Sequence, residues 1–332
     1  MRCHEGLLTQ DDKQIMKLLL TGATGFVGQA VVQRIASDTE CSLTVAVRNA
    51  TVVFPDAVNV AQIADLTPET KWTDALTEVD VVIHLAARAH ILKETSVHPL
   101  VDFRRVNVEA TIALARQALE AGVKRFVFIS SIGVNGNNTL GAPFTELSMS
   151  EPQANYAVSK SEAEQALTSL LKNTTMELVI IRPPLVYAGN APGNFSKLLK
   201  LVAKGVPLPF GLVRNQRSMI ALENLVDFIV LCANHPDAAG QIFLVSDGVE
   251  LSISEIVQSL AEGMGKKARF LPVPVSLLRL GAGIIGKKNL FEQLCGSLVI
   301  DSSKARNLLG WRPPLKANEA LKKAGREARC RN

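Results

Sequence analysis

Residues 17–28 read Lys17-Leu18-Leu19-Leu20-Thr21-Gly22-Ala23-Thr24-Gly25-Phe26-Val27-Gly28. Lys17 to Leu20 has strand character, and a helical pattern from Gln29 to Ile35 follows the glycines without a break. Strand, glycine turn and helix in this order aim backbone N–H groups and the positive end of a helix at one point, which suits a pyrophosphate. Gly22 would permit the sharp turn, Gly25 would let the backbone approach the phosphates, and Gly28 would let the helix pack closely on its strand. The first gap between glycines is one residue wider than in the commoner fingerprint. The competing reading is a tight strand-to-helix connection that holds no ligand.

The rest of the composition narrows the class. A chain of 332 residues with 47% hydrophobic content can bury one large core or two modest ones. Lys plus Arg exceed Asp plus Glu by 36 to 31, a spread surplus that does not imply nucleic acid. The five cysteines, Cys3, Cys41, Cys232, Cys295 and Cys330, are odd in number with no Cys-x-x-Cys pair, and read as reduced thiols of a cytoplasmic protein. The histidines show no metal-ligand spacing, so no metal is expected. Met1 to Gln14 is polar, and residues 1–15 are expected to be a disordered extension or a mis-assigned start. Val275 to Gly286 is apolar but carries Arg279 and falls short of the roughly 18 residues a spanning helix needs, so it predicts a packed helix or an interface rather than membrane insertion.

Strand and helix alternate along the first half. Ser42 to Val47, Val58 to Ile63, Val79 to Ala87, Arg125 to Ser131 and Leu178 to Arg182 read as strands. Near-continuous apolar runs such as Val79 to Ala87 mark parallel strands buried on both faces. Helices are predicted after the first strand, at about Asp102 to Ala121 ending at Gly122, at Ser159 to Leu171, and briefly at Trp72 to Leu76. The pattern predicts an α/β fold: a doubly wound (Rossmann) parallel sheet over 16–183, with 184–332 forming mainly a smaller α+β lobe interwoven with it. In that lobe, Asn194 to Ala203, Glu223 to Ala233 and Ser254 to Met264 read as helices, and Gln241 to Val245 and Arg269 to Pro272 as strands. A cleft between the lobes is the expected ligand site.

Asn155-Tyr156-Ala157-Val158-Ser159-Lys160 adds chemistry to the nucleotide fold. Tyr156 and Lys160 lie one helical turn apart on one face. A lysine ammonium there, together with an oxidised nicotinamide ring, would lower the phenol pKa and make the tyrosine an acid or base at neutral pH. Alone the pair is common by chance and reads first as an ordinary surface contact. Here it follows Ser131, at the carboxyl edge of a buried strand, where open sheets bind ligands.

TGATGFVG, VVIHLAA, Asn107 within RVNVEAT, FISS at Phe128 to Ser131, NYAVSK and the closing KARNLLGWRPP together resemble an extended short-chain dehydrogenase/reductase of the nucleotide-sugar epimerase group. The resemblance spans about Lys17 to Pro314. It implies that Ser131 binds the reacting sugar oxygen, that Tyr156 exchanges its proton, and that Lys160 holds the nicotinamide ribose. Gly22, Gly25 and Gly28 would hold the pyrophosphate with Phe26 and Val27 behind it. Asp65, beside Leu66, would meet the adenine. Ala86 and Ala87 would line the cofactor, and Asn107 would brace the site. Arg217 would grip the substrate diphosphate and Asn194 the uridine side; a plain surface role competes for Arg217.

Two positions depart from the group's pattern. Asn135 stands where a tyrosine is usual, so an aromatic wall near the substrate is expected to be missing. The second strand ends in Val47-Arg48-Asn49 rather than in a carboxylate, and Arg48 is what a 2′-phosphate would want, with solvent exposure as the competing reading. The cofactor is therefore NAD or NADP. The implied function is 4-epimerisation of a UDP-hexose or UDP-N-acetylhexosamine for surface polysaccharide. NADPH-dependent reduction of a UDP-4-keto-6-deoxy-N-acetylhexosamine is the alternative, and a non-catalytic nucleotide sensor or scaffold is a rival that the joint presence of Ser131, Tyr156 and Lys160 argues against. The resemblance also implies a homodimer through the helices near Val101 to Leu119 and Glu162 to Leu171.

Overall fold

The computed structural model describes residues 15–49, 51–89, 97–139 and 141–330, so the expected extension lies outside the described residues except for Ile15. Strands β1 (Met16–Thr21), β2 (Cys41–Val47), β3 (Val58–Gln62), β4 (Val81–His84), β5 (Arg125–Ile129), β6 (Glu177–Arg182) and β9 (Ile242–Leu244) form one sheet in the order β3-β2-β1-β4-β5-β6-β9. Every neighbouring pair is parallel. The order reverses between β1 and β4, which opens the crevice where such sheets bind ligands.

The two-residue strand period explains why the sheet is covered on both sides. Leu18 and Leu20 of β1, Val127 of β5 and Val179 of β6 face one layer, built by α1 (Phe26–Ala36) and α6 (Leu222–Asn234). Leu19, Phe126, Phe128 and Ile180 face the other, with α3 (Ala110–Glu120), α4 (Asn155–Leu171) and the buried Trp72. Each fully buried side chain of this size contributes about 1.5–3 kcal/mol. α2 (Pro99–Arg104) runs into α3 through a π turn at Arg105–Glu109.

The second lobe has its own sheet, β10-β8-β7, from β7 (Leu185–Tyr187), β8 (Arg217–Ala221) and β10 (Glu250–Leu251). Its core lies between α5 (Gly193–Ala203), α7 (Ile253–Gly263) and α11 (Ala317–Cys330). α7 starts with a capping box in which Ser252 and Glu255 satisfy each other's backbone N–H. α8 (Val275–Ile284), α9 (Lys288–Cys295) and α10 (Ser303–Leu309) complete the chain's helices among the described residues.

Several boundaries differ from the sequence reading. Trp72 to Leu76 is a run of turns, with Leu76 N–H reaching Trp72 O at 2.9 Å. Arg269 to Pro272 is no strand; Phe270 makes a single bridge to Leu208. β4 stops at His84 because the chain then turns away from the sheet, with Leu85 N–H on Thr21 O as its last backbone-to-backbone link to β1.

Asn135, which stands where the group usually has a tyrosine, is a buried structural link. Its carboxamide oxygen accepts from Arg182 Nη1 at 3.1 Å. Arg182 also donates to both carboxylate oxygens of Glu164 from α4, at 2.5 to 3.2 Å, and all three side chains are buried. A buried arginine whose carboxylate is removed keeps its desolvation cost without compensation. Glu164→Ala is therefore expected to lower stability by about 3–5 kcal/mol. Lys17→Ala, which removes an exposed pair with Glu78, should leave the unfolding midpoint unchanged within error. Urea unfolding of the two variants beside wild type measures both; equal midpoints for all three would contradict the assignment.

Candidate active site

The glycine turn is set by crowding. Gly22 has φ of +75°, and a Cβ there would sit 2.7 Å from Ala86 N, at the end of β4. A Cβ on Gly28 would lie 2.0 Å from Gly22 O, so the helix packs against the turn itself rather than against the strand. Gly25 is the N-cap of α1, with its N–H on Gly22 O at 3.0 Å and its carbonyl accepting from Gln29 N–H at 3.0 Å. No side chain caps this helix and its first turn carries no acidic residue. The first-turn N–H groups at Phe26 and Val27 therefore keep the partial positive charge of a helix start, with no acidic side chain in that turn to neutralise it.

Buried hydrogen bonds fix the strand ends around that turn. Thr21 Oγ1 accepts from Ala86 N–H at 3.2 Å and meets His84 Nδ1 at 2.8 Å, while His84 Nε2 meets Thr111 Oγ1 at 2.9 Å. Burial, helped by nearby Lys160, pushes the imidazole down to about 3, so His84 is neutral and structural. Ala86 and Ala87 follow in the loop that leaves β4, half-buried. Asn107, inside the π turn, accepts from Arg88 N–H at 2.7 Å and donates to Arg88 O at 3.1 Å and to Ser159 Oγ at 2.9 Å. The expected bracing role thus has a definite geometry: one amide ties the β4 loop to α4.

Ser131 leaves β5 in extended conformation and caps the short 3-10 turn after it, its Oγ accepting from Gly133 N–H at 3.1 Å. Tyr156 stands in the first turn of α4, its ring edge against Phe103 with centroids 6.4 Å apart. Lys160 is fully buried; its Nζ donates to Ile129 O at 2.7 Å and lies 4.3 Å from the centroid of Phe128. α4 thus carries Tyr156 and Lys160 to the end of β5, where Ser131 begins.

The expected lowering of the tyrosine pKa does not appear in the protein alone. Burial pushes the Tyr156 phenol up to about 12. Burial likewise brings Lys160 down to about 7, although the Glu164 carboxylate works in the opposite direction. The lysine charge is spent on a carbonyl and a ring face, and its own desolvation weakens it, so it does not offset the desolvation of the phenol.

The adenine-side residues meet in another way. Arg48, at the end of β2, is exposed, and its Nη1 lies 3.3 Å from Asp65 Oδ1; the same oxygen accepts from Leu66 N–H at 2.8 Å. Among the residues expected on the substrate side, Arg217 donates from Nη1 to Gly296 O at 2.9 Å, burial depresses its pKa, and its buried Nε has no partner among the described residues. Asn194 is held by Gln293 and by Lys197, the latter at 3.2 Å. Asn194 and Arg217, 23 positions apart in the chain, are thus tied to one short segment, 293–296.

Sequence reasoning passed over Ser130, Ser159, Gln293 and Gly296. Ser130 is buried with an unpartnered hydroxyl beside Ser131, and Ser159 donates to Tyr156 O at 2.8 Å. The pair Ser130-Ser131 was visible in FISS, but nothing in α9 marks Gln293. A cavity of about 760 Å3, lined in part by Ser246, Asp247, Arg306 and Trp311, opens elsewhere and takes in none of the residues predicted for the site.

Residues 18–246 match the model of the NAD dependent epimerase/dehydratase family. The chain is 43% identical over 318 residues to a UDP-glucose 4-epimerase of Vibrio cholerae, covering 95% of this chain and 96% of that one. Among solved structures, a UDP-N-acetylglucosamine 4-epimerase from Bacillus cereus superposes with a TM-score of 0.75 at 21% identity, over 95% of this chain and 99% of the other. A UDP-glucuronic acid 4-epimerase from Bacillus cereus in complex with NAD gives 0.73 at 19%, over 95% and 99%. These structural likenesses carry the fold, and the sequence matches carry the kinship. By its crowded glycine turn, its parallel sheet and its matching residues, this chain belongs to the NAD dependent epimerase/dehydratase family.

Proposed function

We propose that the protein is a 4-epimerase of a UDP-hexose or UDP-N-acetylhexosamine, working in the cytoplasm on precursors of surface polysaccharide. The observation that carries this reading is that α4, which bears Tyr156 and Lys160, is tied to the end of β5 just before Ser131, with Lys160 buried and its Nζ on Ile129 O at 2.7 Å. The Vibrio cholerae relative, a UDP-glucose 4-epimerase over nearly the whole length, supports the sugar nucleotide. The four described cysteines are free, in keeping with a reducing compartment.

The chain's residues fit NAD. The turn from Gly22 to Gly28 leaves no room for side chains, α1 begins without a side-chain cap or an acid, and the buried Ser130 hydroxyl lacks a protein partner. Gly22, Gly25 and Gly28 with Phe26 and Val27 would hold the pyrophosphate, Asp65 and Leu66 the adenine, Ala86, Ala87 and Asn107 the walls, and Lys160 the nicotinamide ribose. When bound, NAD supplies hydride transfer at the sugar C4 and positive charge beside Tyr156.

The residues of the chain do the rest. Ser131 Oγ already accepts from Gly133, so its own proton is available for the C4 oxygen of the sugar. Tyr156 takes the C4 hydroxyl proton on oxidation and gives it back on reduction, after the sugar has turned over in the site. To accept a proton it must first lose its own, and a protonated Lys160 one turn away is the group in the chain that favours that loss. Arg217, with its unpartnered Nε, would take the diphosphate, and Asn194 the uridine side. A homodimer through the outward faces of α3 and α4 belongs to the same proposal.

One observation favours the reductase as a second reading. The end of β2 carries Arg48, and Asp65 holds its guanidinium there at 3.3 Å. An arginine at this place suits a 2′-phosphate and a reaction that consumes NADPH. Incubation of the purified protein with UDP-glucose, UDP-N-acetylglucosamine and 4-keto sugar nucleotides separates the two. Sugar interconversion without net change in nicotinamide absorbance supports the epimerase, and stoichiometric loss of NADPH absorbance supports the reductase.

Two variants test the residues. Tyr156→Phe is expected to leave cofactor binding nearly intact and to lower turnover by about two to four powers of ten; turnover within about threefold of wild type would remove Tyr156 from the mechanism. Arg48→Ala is expected to weaken NADPH by about ten- to a hundredfold, from the loss of one charge-assisted contact, with NADH little changed. Fluorescence titration of both cofactors reads this directly. Equal losses for the two would mean that Arg48 does not sense the 2′ position.

A further inference from the structure

α8 is apolar on nearly every side, and none of its residues is buried. Its inner side, Val275 and Leu278, rests partly covered against the core of the second lobe. The opposite side sets Leu277, Leu280 and Ile284 along one stripe at 58%, 62% and 79% exposure, with Ile285 at 65% just past the helix end. Those spacings of three and four residues place the side chains over one another. A helix that is hydrophobic all round is ordinarily buried, and a contiguous exposed row marks an interaction surface.

The charge around this row points to the partner. From Gly263 to Phe291 the chain contains no Asp or Glu, while Lys266, Lys267, Arg269, Arg279, Lys287 and Lys288 all fall within it. Lys287 and Lys288 are exposed and directly follow the apolar stripe. Arg279 is turned the other way, onto the Phe291 ring at 5.6 Å and toward Glu292 at 3.7 Å, so the stripe itself is free of charge. An apolar row ending in a cationic turn, with no acid for nearly thirty positions, complements a surface that is oily beneath and anionic above.

We propose that α8 and the basic turn after it adsorb to an anionic lipid bilayer. Leu277, Leu280 and Ile284 enter the boundary between headgroups and acyl chains, and Lys287 and Lys288 meet the lipid phosphates. The helix lies on the membrane and does not cross it, since ten residues reach about half the roughly 20 that spanning requires. Adsorption orients the second lobe: α9 follows the basic turn and leads to Gln293 and Gly296, the partners of Asn194 and Arg217, so that end of the molecule is carried toward the lipid.

Co-sedimentation of the full chain with vesicles tests this. With phosphatidylcholine:phosphatidylglycerol vesicles at low salt, most of the protein is expected in the pellet; with pure phosphatidylcholine, binding is expected to fall at least about tenfold, and raised salt should weaken the anionic binding similarly. Leu280→Glu/Ile284→Glu is expected to abolish the pelleting, and Lys287→Ala/Lys288→Ala to weaken it by about tenfold, with melting temperature and turnover on soluble substrate unchanged in both. Equal and weak pelleting with the two vesicle types overturns the proposal, as does unchanged pelleting of the double glutamate variant. Sedimentation velocity covers the remaining occupant: if that variant lowers the oligomeric state while wild type ignores vesicles, a second copy of the chain covers α8 and the lipid proposal is wrong.

Discussion

The side chain of Asn107 makes hydrogen bonds that neither the sheet nor the helices could make for themselves. Beyond β4 Arg88 lies outside the sheet, and the amide of Asn107 bonds both its N–H and its carbonyl. The remaining amide proton goes to Ser159, whose hydroxyl in turn reaches Tyr156 O. Each of these buried groups would cost about 1–3 kcal/mol if left unpaired. The loop that would line the cofactor and the helix that presents Tyr156 are therefore one unit. Asn107 lies within the π turn Arg105–Glu109, where the register between α2 and α3 changes by one residue; such turns are rare and concentrate at functional sites.

Around this unit, burial governs the charges. His84 and Lys160 lie out of water and Tyr156 is half-buried, and each is driven toward its neutral form: the imidazole to about 3, the phenol to about 12, the ammonium to about 7. Glu164, one turn beyond Lys160, would ordinarily anchor a lysine. Here its two oxygens are taken by Arg182, so its pull on Lys160 is partly cancelled and desolvation wins. The outcome is a site whose proton-carrying groups shift most when charge arrives. Positive charge beside Tyr156 acts against a desolvation penalty rather than on a solvated phenol, where the surrounding water would screen it.

What the sequence disclosed follows from which physical signals are local. The glycine turn is legible because Gly22 needs positive φ and Gly28 admits no Cβ, both constraints on single residues. The central strands are legible because burial on both faces forces continuous apolar runs such as those of β4 and β5. α11 escaped although its two faces are well separated: the buried face is mostly alanine, Ala317, Ala320, Ala324 and Ala328 with a single Leu321, and the charged residues between them keep the mean hydropathy of the segment low. β7 and β10 are three and two residues long, too short for a periodic signal. Arg48 and Asp65 were each legible as cofactor candidates, but their mutual pairing is a long-range fact that neither position reveals. The upward shift of Tyr156 in the protein without cofactor was illegible for a related reason: spacing shows that Lys160 is near, whereas the packing of Tyr156 against Phe103 of α2 is a long-range fact.

The two halves of the proposed site are kept in register by a segment that is nearly invisible in sequence, Ser297 to Ile300. On one side its backbone carbonyls accept from Thr139 N–H and Phe144 N–H, each at 2.9 Å, in the loop that follows Ser131. On the other, Leu298 N–H donates to Gln216 O at 2.9 Å, Leu298 O accepts from Ser218 N–H at 2.8 Å, and Ile300 N–H reaches Ser218 Oγ at 3.0 Å. Gln216 and Ser218 flank Arg217. One strand-like span therefore measures the distance between the reacting-end loop and the arginine proposed for the diphosphate. It also begins where α9 ends, one residue after Gly296, which accepts from Arg217 itself. α9 is thus joined to Arg217 through the Gly296 carbonyl and, by the same ladder, to the loop beyond Ser131, so the spacing between the two halves is set by backbone hydrogen bonds of one short span.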